Sequence, residues 1–477
     1  MSEPILSPLA SPEVLVLGAG FSINVSEEFV CTDDLGKQAT LRAGIADERL
    51  PAKGFRAGNF ETWLSQLAED QPYLSEAENF HNRARFMDVS RALVDVLRDS
   101  ELEAFKSPAQ PWLLDLLSIA HYRRPTIITL NYDTVIEVAI EGHALPRTDD
   151  SIDPSADAPM SGSLLEIGAD DILANFPPRI RGSLPARGIS YSGSIVPLAR
   201  SFRLLKLHGS IDWFWAPGDP TGETLRRATV TSRFADPRDD PELRRDEVEG
   251  LQPFIVPPTA TKSAYYSNLR TRWLWTQAAQ ALNEAERISL LGYSIPPADL
   301  VMSGMLAAAV HGHCVDLKVV NLKPDDPAQR LRELGATTVS ELGGDDCMQS
   351  FVNSYRDQAA AELVQTLRAS ALGDAYLVAF TGSASPNGRA AFQAVKRITR
   401  GDCEAELSLE LAETGVPIDP DNDLGLSALV SKITERVRRL VVRTSDNRKL
   451  HVVAAIVNLD TNAIPQRDFV SLLTAGI

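Results

Sequence analysis

Three short polar segments each follow an apolar run in this chain of 477 residues. They read GAGFS at residues 18–22, TLNYD at 129–133 and KLHGS at 206–210. Paired glycines let a backbone approach a phosphate, amide and carboxylate groups bind hydroxyls, and an imidazole moves protons near neutral pH. If the apolar runs are neighbouring parallel strands, these groups meet at the carboxyl edge of one sheet. The spacing therefore predicts a single site that binds a phosphorylated ligand and transfers a proton.

The elements that must position these segments alternate between buried strands and amphipathic helices. Apolar runs predict the strands, and apolar residues at three- and four-residue spacing predict the helices. The predicted strands are Glu13–Leu17, Pro125–Leu130, Phe202–Leu207, Arg287–Leu291 and Leu317–Val320; the predicted helices include Phe60–Leu67, Arg85–Leu97, Tyr132–Ile140 and one from about Phe21. This alternation predicts an α/β fold with a Rossmann-like parallel sheet and helical insertions.

Composition shifts along the chain predict two domains. Residues 1–350 carry all the polar segments, and a Pro-, Ser-, Gly- and Asp-rich stretch at 145–197 is expected to be an insertion or lid, with a plain surface loop as the alternative. Residues 351–477 are expected to form a smaller α/β domain that senses a ligand or mediates assembly. Its predicted elements are helices at Ala359–Ala371, Arg389–Ile398 and Leu426–Leu440, strands at Ala375–Phe380, Ala405–Leu411 and His451–Val457, and a TGSASPNG loop.

The first segment resembles the glycine turn of a dinucleotide-binding fold. Gly18, Ala19, Gly20, Phe21 and Ser22 lie between a strand and a helix, where backbone N–H groups can approach a pyrophosphate. The third glycine of the dehydrogenase fingerprint is missing, because Ile23 and then Asn24 stand in its place. Hydride transfer is therefore disfavoured, and a turn that binds no ligand remains an alternative.

The other two segments supply side chains that can react. Asn131 and Asp133 alternate along an extended turn, so both are expected to point into the crevice beyond the strand. Helix capping is the structural alternative for these two residues. His208 also ends a strand, beside glycine and serine, and is the candidate general base. Histidines are more often simply packed or exposed, which is the alternative here.

A fourth segment completes the candidate site. Gly292, Tyr293 and Ser294 follow a buried strand and offer backbone N–H groups and a hydroxyl to a phosphate or ribose. Asp299 and Asn321 are expected near the adenosine half of a dinucleotide.

Charge and cysteine content exclude several classes of protein. The net charge of −17 disfavours direct binding to nucleic acid. The four cysteines have no Cys-x-x-Cys spacing, so neither a zinc knuckle nor a redox pair is indicated, and no metal is expected. We expect a cytoplasmic protein without a membrane span or signal peptide.

In this order, GAGFS, TLNYD, KLHGS and LGYS resemble the sirtuin-like NAD-hydrolase domains of bacterial antiphage effectors, the Thoeris-type effector and its relatives. The match extends over Glu13–Asn321 and includes FETWLSQL and IVPPTATK. The resemblance implies that the 18–22 turn binds NAD+ and that Asn131 and Asp133 lie at the ribose. It further implies that Asn131 is essential and that His208 is the catalytic base.

The departure from protein deacylases narrows the implied reaction. Deacylases share the glycine, asparagine and histidine motifs but carry a four-cysteine zinc module that is missing here. Water is then the expected acceptor, and nicotinamide and ADP-ribose are the expected products. A cyclised ADP-ribose stays open as a product.

The resemblance also implies a biological role. It describes a homo-oligomeric effector that depletes NAD+ once a nucleotide signal, a phage protein or a partner defence protein triggers it. Two alternatives stay open: a non-catalytic NAD or ADP-ribose sensor, and the toxic subunit of a complex with an ATPase, nuclease or Argonaute-like partner.

Overall fold

A computed structural model describes residues 12–45, 59–142, 168–173, 176–178, 201–216, 219, 221–238, 250–259, 268–297, 299–312, 315–369, 375–381, 391–397, 409–411, 417–418, 440–444 and 449–456. The strands are β1 Glu13–Leu17, β2 Thr126–Thr129, β3 Arg203–Lys206, β4 Gly209–Trp215, β5 Arg226–Arg227, β6 Gln252–Ile255, β7 Arg287–Leu291, β8 Asp316–Val320, β9 Ser340–Leu342, β10 Ala375–Thr381, β11 Ala391–Arg397, β12 Leu409–Leu411, β13 Pro417–Ile418, β14 Leu440–Thr444 and β15 Lys449–Ile456. The helices are α1 Ala19–Val25, α2 Thr32–Arg42, α3 Asn59–Ala68, α4 Glu76–Ala104, α5 Pro111–Arg123, α6 Val135–Gly142, α7 Ala169–Ile172, α8 Leu269–Glu284, α9 Leu300–Gly312, α10 Asp325–Glu333 and α11 Cys347–Ala369.

A six-stranded sheet organises the first part of the chain. Its order is β3-β2-β1-β7-β8-β9, and every neighbouring pair is parallel. Counted within this sheet, the order is 3-2-1-4-5-6, that of a Rossmann fold. The chain reverses direction across the sheet between β1 and β7, and crevices at such a switch point bind ligands. The predicted α/β fold with a Rossmann-like sheet is confirmed.

Buried strands explain why the sheet forms here. The residues of β1 are at most 7% exposed, and they pack in one core cluster with apolar residues of β2, β3, β7 and β8. Parallel strands covered on both faces have such continuous apolar runs.

A helical layer is inserted between β1 and β2. Helices α2, α3 and α4 contact one another and share a separate apolar cluster that includes Phe60, Leu64 and Leu93. The long helix α4 begins with a capping box, in which Ser75 and Glu78 satisfy each other's backbone N–H groups. This layer lies beside the carboxyl ends of the strands and forms one wall of the site described below.

Two further sheets accompany the central one. Strands β5, β4 and β6 form a small antiparallel sheet that continues directly from β3. Strands β10–β15 form a mixed sheet of order β11-β10-β15-β14-β12-β13, in which only β10 and β15 pair in parallel.

The C-terminal prediction is partly wrong. The strands expected at Ala375–Phe380 and His451–Val457 appear as β10 and β15, but the helix expected at Arg389–Ile398 is strand β11. Its seven residues are too few to separate a helical from an alternating pattern, and antiparallel pairing with β10 decides. Strand β12 covers the end of the strand expected at Ala405–Leu411. The TGSASPNG loop beyond Thr381, the rest of that strand and the Leu426–Leu440 helix before Leu440 lie outside the described residues.

Helix α11 spans the predicted domain boundary. The division between residues 350 and 351 falls inside this helix, whose Phe351, Val352 and Tyr355 belong to the core of the central sheet. The division into two domains stays a prediction, and most of the 145–197 stretch lies outside the described residues. Among the residues described, no helix is long and apolar enough to cross a membrane.

Candidate active site

A cleft of about 300 Å³ opens at the carboxyl ends of the central strands. It lies where β1 and β7 are neighbours, which is the switch point of the sheet. Nearly all the residues singled out from the sequence line it: Gly18, Ala19, Gly20, Ser22, Asn131, Asp133, His208, Gly292, Tyr293, Ser294, Asp299 and Asn321. Phe21 is the exception, because its ring is buried against Trp112 at a centroid distance of 5.4 Å.

The glycine turn crosses the loop after β7 at close range. The N–H of Gly18 donates to the carbonyl of Leu291 at 3.1 Å, and that of Gly20 donates to the carbonyl of Gly292 at 2.9 Å. A Cβ at Gly18 would lie 2.6 Å from the Cα of Tyr293, and Gly292 has a φ of +63°. Side chains would therefore force the two loops apart. These glycines are needed for the crossing itself, and the N–H groups of Gly18, Gly20 and Phe21 are already paired within the protein.

Ser22, Asn131 and Asp133 form a hydrogen-bonded chain on the cleft wall. The amide of Asn131 donates from Nδ2 to the carbonyl of Gly18 and to Oγ of Ser22, both at 2.9 Å. The hydroxyl of Ser22 donates onward to Oδ2 of Asp133 at 2.6 Å. Both amide protons of Asn131 are used inside the protein, so the group it presents to a ligand is the acceptor Oδ1.

Asp133 also performs the structural role that was left open for it. Its Oδ1 accepts a hydrogen bond from the N–H of Val135 at 3.3 Å, and Val135 is the first residue of α6. The helix predicted from Tyr132 therefore begins three residues later. One carboxylate oxygen caps the helix while the other joins the polar chain, so capping and a role in the site coexist.

His208 lies in the turn between β3 and β4. The centroid of its ring lies 6.2 Å from the ring centroid of Tyr132 and 6.0 Å from that of Trp275, and His208 is 6% exposed. Its backbone carbonyl accepts from the N–H of Val256 at 2.8 Å, and the hydroxyl of Tyr132 donates to the carbonyl of Val256 at 2.7 Å. An imidazole held between aromatic rings at the cleft can take a proton from a hydroxyl or water.

The aromatic residues just after His208 serve the core. Trp213 is fully buried against Phe176 and does not line the cleft, and Trp215 packs edge-on against Phe254. The contact with His208 comes instead from Trp275 on α8, a partner that sequence spacing does not indicate.

Hydrogen bonds within the loop after β7, and from α10, hold this loop in place. The hydroxyl of Tyr293 donates to Oδ2 of Asp299 at 2.9 Å. Arg330 on α10 donates from Nη1 to the carbonyls of Ser294 and Ile295, both at 2.7 Å. Ile295 has a φ of +51°, an unfavourable conformation for a β-branched residue, so this loop keeps its shape only while its neighbours hold it.

The helical layer supplies the part of the cleft that the sequence did not reveal. Apolar side chains from the α1–α2 connection, α2 and α4 line one side, together with a buried carboxyl group, Glu61 on α3. The additional lining residues are Ile23, Phe29, Val30, Cys31, Thr32, Leu35, Glu61, Leu97, Ser100, Leu130, Tyr132, Pro258 and Pro296. Glu61 belongs to the FETWLSQL segment, which forms part of the resemblance but was not predicted to lie in the site.

A second carboxyl group, Glu101 on α4, supports the reactive loop. Its Oε1 accepts from the hydroxyl of Thr134 at 2.9 Å and from the N–H of the same residue. Burial, and then the charge of Asp133, raise the pKa of Glu101 to about 8, while its bonds to Thr134 and the charge of Lys206 oppose the rise. Among the described residues, no three His, Cys, Asp or Glu side chains come together as metal ligands would.

Comparison with known proteins yields only loose structural matches. No family model and no curated protein matches this chain. A variant of a Sir2 homologue in complex with ADP-ribose is 14% identical, at a TM-score of 0.32 over 75% of this chain and 98% of its own. A Sir2 complex with a p53 peptide and NAD+ is 14% identical, at a TM-score of 0.31 over 75% and 96%. TM-scores this low support no argument about the site, so the fold assignment rests on strand order and register.

Proposed function

We propose that this chain is an NAD+ glycohydrolase, which cleaves NAD+ with water to nicotinamide and ADP-ribose. The observation that carries the proposal is the polar chain of Asn131, Ser22 and Asp133, which shares one cleft with His208. The order of motifs, similar to sirtuin-like NAD hydrolases, supplies the choice of ligand.

The groups of the cleft suit glycosidic cleavage. Breaking the bond between ribose and nicotinamide leaves the bonding electrons on nicotinamide and positive charge on the ribose. The carboxylate of Asp133 stabilises that cation, and Oδ1 of Asn131 accepts from a ribose hydroxyl and orients the sugar. Water then attacks the ribose carbon and loses a proton to His208.

Further residues that line the cleft suit the rest of a dinucleotide. Asp299 and Asn321 are proposed at the adenosine half, and Ser294 and the 18–22 turn are proposed at the phosphates and the adjoining ribose. The ring of Phe21 lies in the core and its N–H donates to the carbonyl of Gly18, so in this proposal Phe21 shapes the turn without contacting the ligand.

A nicotinamide-release assay on the purified full chain tests the proposal. We expect release in the presence of an extract from phage-infected cells, and a rate lower by roughly 10²-fold or more in Asn131→Ala and His208→Ala. His121→Ala is the matched control, because His121 on α5 is also buried but pairs with Ser201, and neither residue lines the cleft. Equal rates in the wild type and both cleft variants would exclude the assignment.

A non-catalytic NAD+ or ADP-ribose sensor is the second candidate. The cleft and its polar chain fit binding as well as cleavage, so the same assay separates the two. One NAD+ bound per chain and returned intact, with or without infected extract, would favour the sensor.

The proposed role is a triggered effector of antiphage defence. An unrestrained NAD+ hydrolase would kill its host, so a trigger is required: a nucleotide signal, a phage protein or a partner defence protein acting on a homo-oligomer. We expect cellular NAD+ to fall after infection in cells with the wild-type chain and to hold steady with His208→Ala. Equal NAD+ in the two strains would rule this role out.

The third candidate, a toxic subunit acting with an ATPase, nuclease or Argonaute-like partner, predicts depletion only when that partner is co-expressed.

A further inference from the structure

Lys206 is a fully buried lysine directly beneath the candidate site. Its side chain has 0% exposure, and Nζ donates to three acceptors: the carbonyl of Asp133 at 2.6 Å, Oε1 of Glu137 at 2.7 Å and Oγ of Ser210 at 2.7 Å. An ammonium group has three protons, so its donor capacity is used completely.

These bonds join the two segments that carry the reactive side chains. Asp133 belongs to the loop after β2, and Ser210 follows the turn that holds His208. Around the lysine, the carbonyl of Tyr132 accepts from Oγ of Ser210 at 3.1 Å and from the N–H of Ile211 at 3.0 Å. The segments are therefore linked at several points, with one charged group at the centre.

The surroundings keep this lysine charged. Burial lowers its pKa, but Glu137, Asp212 and Asp133 together reverse the effect and raise it. Both carboxylate oxygens of Asp212 are buried and, among the residues described, have no hydrogen-bond partner. Arginine would not replace this lysine, because a planar guanidinium cannot direct protons at three acceptors around one point.

We propose that Lys206 is a positioning residue that sets the geometry between the Asn131–Asp133 loop and His208. It touches no reacting atom and acts through the backbone of Asp133 and through Ser210. The inference rests on the proposed function, because the geometry it sets is that of the hydrolytic groups.

A pair of matched double variants tests this role. Lys206→Met/Glu137→Gln removes the buried ion pair beneath the cleft. Arg123→Met/Glu13→Gln removes an equally buried pair at the start of β1, where the carboxylate and guanidinium are 3.0 Å apart and far from the cleft end of the strand. We expect the first variant to lower kcat by roughly 10²-fold while the Kd for NAD+ changes little, and the second to leave kcat unchanged.

Two single variants separate position from charge. Glu137→Gln keeps the bonds from Lys206 to Asp133 and Ser210, so kcat should stay near the wild-type value. Ser210→Ala removes one of the three acceptors with little change in volume and should lower kcat by about tenfold. It also keeps the test decisive if the double variant does not fold.

Hydrogen exchange supplies a readout that does not depend on turnover. Amides of residues 129–134 and 207–211 should exchange faster in Lys206→Met/Glu137→Gln and Ser210→Ala than in the wild type and the Arg123/Glu13 control. Unchanged exchange in these segments, or an equal loss of kcat in the two double variants, would overturn the positioning role. Faster exchange in a protein that never releases nicotinamide would support the positioning role and refute the hydrolase.

Discussion

At the scale of single residues, the hydroxyl of Ser22 organises the polar wall of the cleft. It accepts a hydrogen bond from Asn131 and donates one to Asp133. The direction of these hydrogen bonds is set by the number of protons that each group carries. Asn131 is left with an acceptor toward the ligand and Asp133 with a negative charge. This division matches a reaction that needs an oriented ribose hydroxyl and a stabilised cation.

The two roles of Asp133 can be separated by Asp133→Asn. The amide oxygen still accepts from the N–H of Val135, so α6 keeps its cap and the thermal unfolding midpoint should move by only a few degrees, ~1 kcal/mol. The charge is lost, so nicotinamide release should fall by roughly 10²-fold. Release rates per folded molecule decide: an unchanged rate would reduce Asp133 to a helix cap.

Glu101 makes stability depend on pH. Burial and the charge of Asp133 raise its pKa from the usual 4.5 to about 8, so the folded state retains a proton that the unfolded chain loses. This contribution to stability is complete below pH 4.5, the unfolded pKa. It is lost as the pH rises from 4.5 to about 8, at roughly 1.4 kcal/mol per pH unit.

The variant Glu101→Gln removes this dependence and keeps an acceptor for Thr134. Urea denaturation between pH 4.5 and about 8 measures the free energy of unfolding. This free energy should fall more steeply with rising pH in the wild type than in the variant. Asp133 and Lys206 face the same carboxyl group, and the variant leaves both unchanged. Parallel curves would mean that Glu101 is ionised in the folded protein.

The sequence predicted the residues at the strand ends better than those on helices. Asn131, Asp133 and His208 follow strands, and parallel strands bring their carboxyl ends to one edge. Glu101 and Trp275 reach the site from helices whose placement depends on tertiary packing, which no local pattern encodes. Phe21 was assigned to the ligand because of its motif, yet its aromatic ring was the better guide to its place in the core.

At the scale of elements, the site is built by two loops that cross. The turn after β1 and the loop after β7 meet at Gly18, Gly20 and Gly292, where side chains would collide with backbone. The glycine pattern of the sequence predicts room for a phosphate, but the same glycines are also required where the two loops cross. A glycine motif alone does not distinguish the two.

Arg330 stabilises the outer part of the second loop. Arg330→Met removes both bonds to the carbonyls of Ser294 and Ile295, and these bonds hold the loop in the conformation that gives Ile295 its positive φ. We expect the Kd for NAD+ to rise by about tenfold, close to 1.4 kcal/mol, as measured by calorimetry. Arg332→Met is the control, because Arg332 pairs with Glu341 on the surface. Equal affinities in the two variants would show that the hydrogen bonds from Arg330 do not contribute to NAD+ binding.

Elements without a continuous apolar run were the least predictable. The strand β11 was expected to be a helix because seven residues fit both periods, and only pairing with β10 distinguishes them. Strand β1 is shorter, with five residues, but it was predicted with the right bounds because Val14–Leu17 form a continuous buried apolar run.

At the scale of the whole molecule, α11 joins the central core to the following sheet along the chain. Phe351, Val352 and Tyr355 are at most 3% exposed, and the hydroxyl of Tyr355 donates to Oε2 of Glu13 at 2.7 Å. This part of the helix therefore packs with the central core, although the predicted division falls at residue 350.

Truncation tests where the domain ends. A chain of residues 1–369 should unfold cooperatively, whereas one of residues 1–350 should fail to accumulate as soluble protein. The shorter chain loses the three large buried side chains of Phe351, Val352 and Tyr355, worth roughly 1.5–3 kcal/mol each, a large part of a typical stability of about 5–15 kcal/mol. Similar denaturant midpoints for the two chains would support a domain boundary at residue 350.

The central claim is that the cleft hydrolyses the bond between ribose and nicotinamide. Incubating the triggered full chain with NAD+ in ¹⁸O-labelled water, and quantifying nicotinamide and ADP-ribose by mass spectrometry, tests it most directly. We predict equal amounts of the two products over many turnovers, one ¹⁸O atom in each ADP-ribose, and loss of both products in Asn131→Ala. NAD+ bound once per chain and recovered intact, or ADP-ribose without the label, would contradict it.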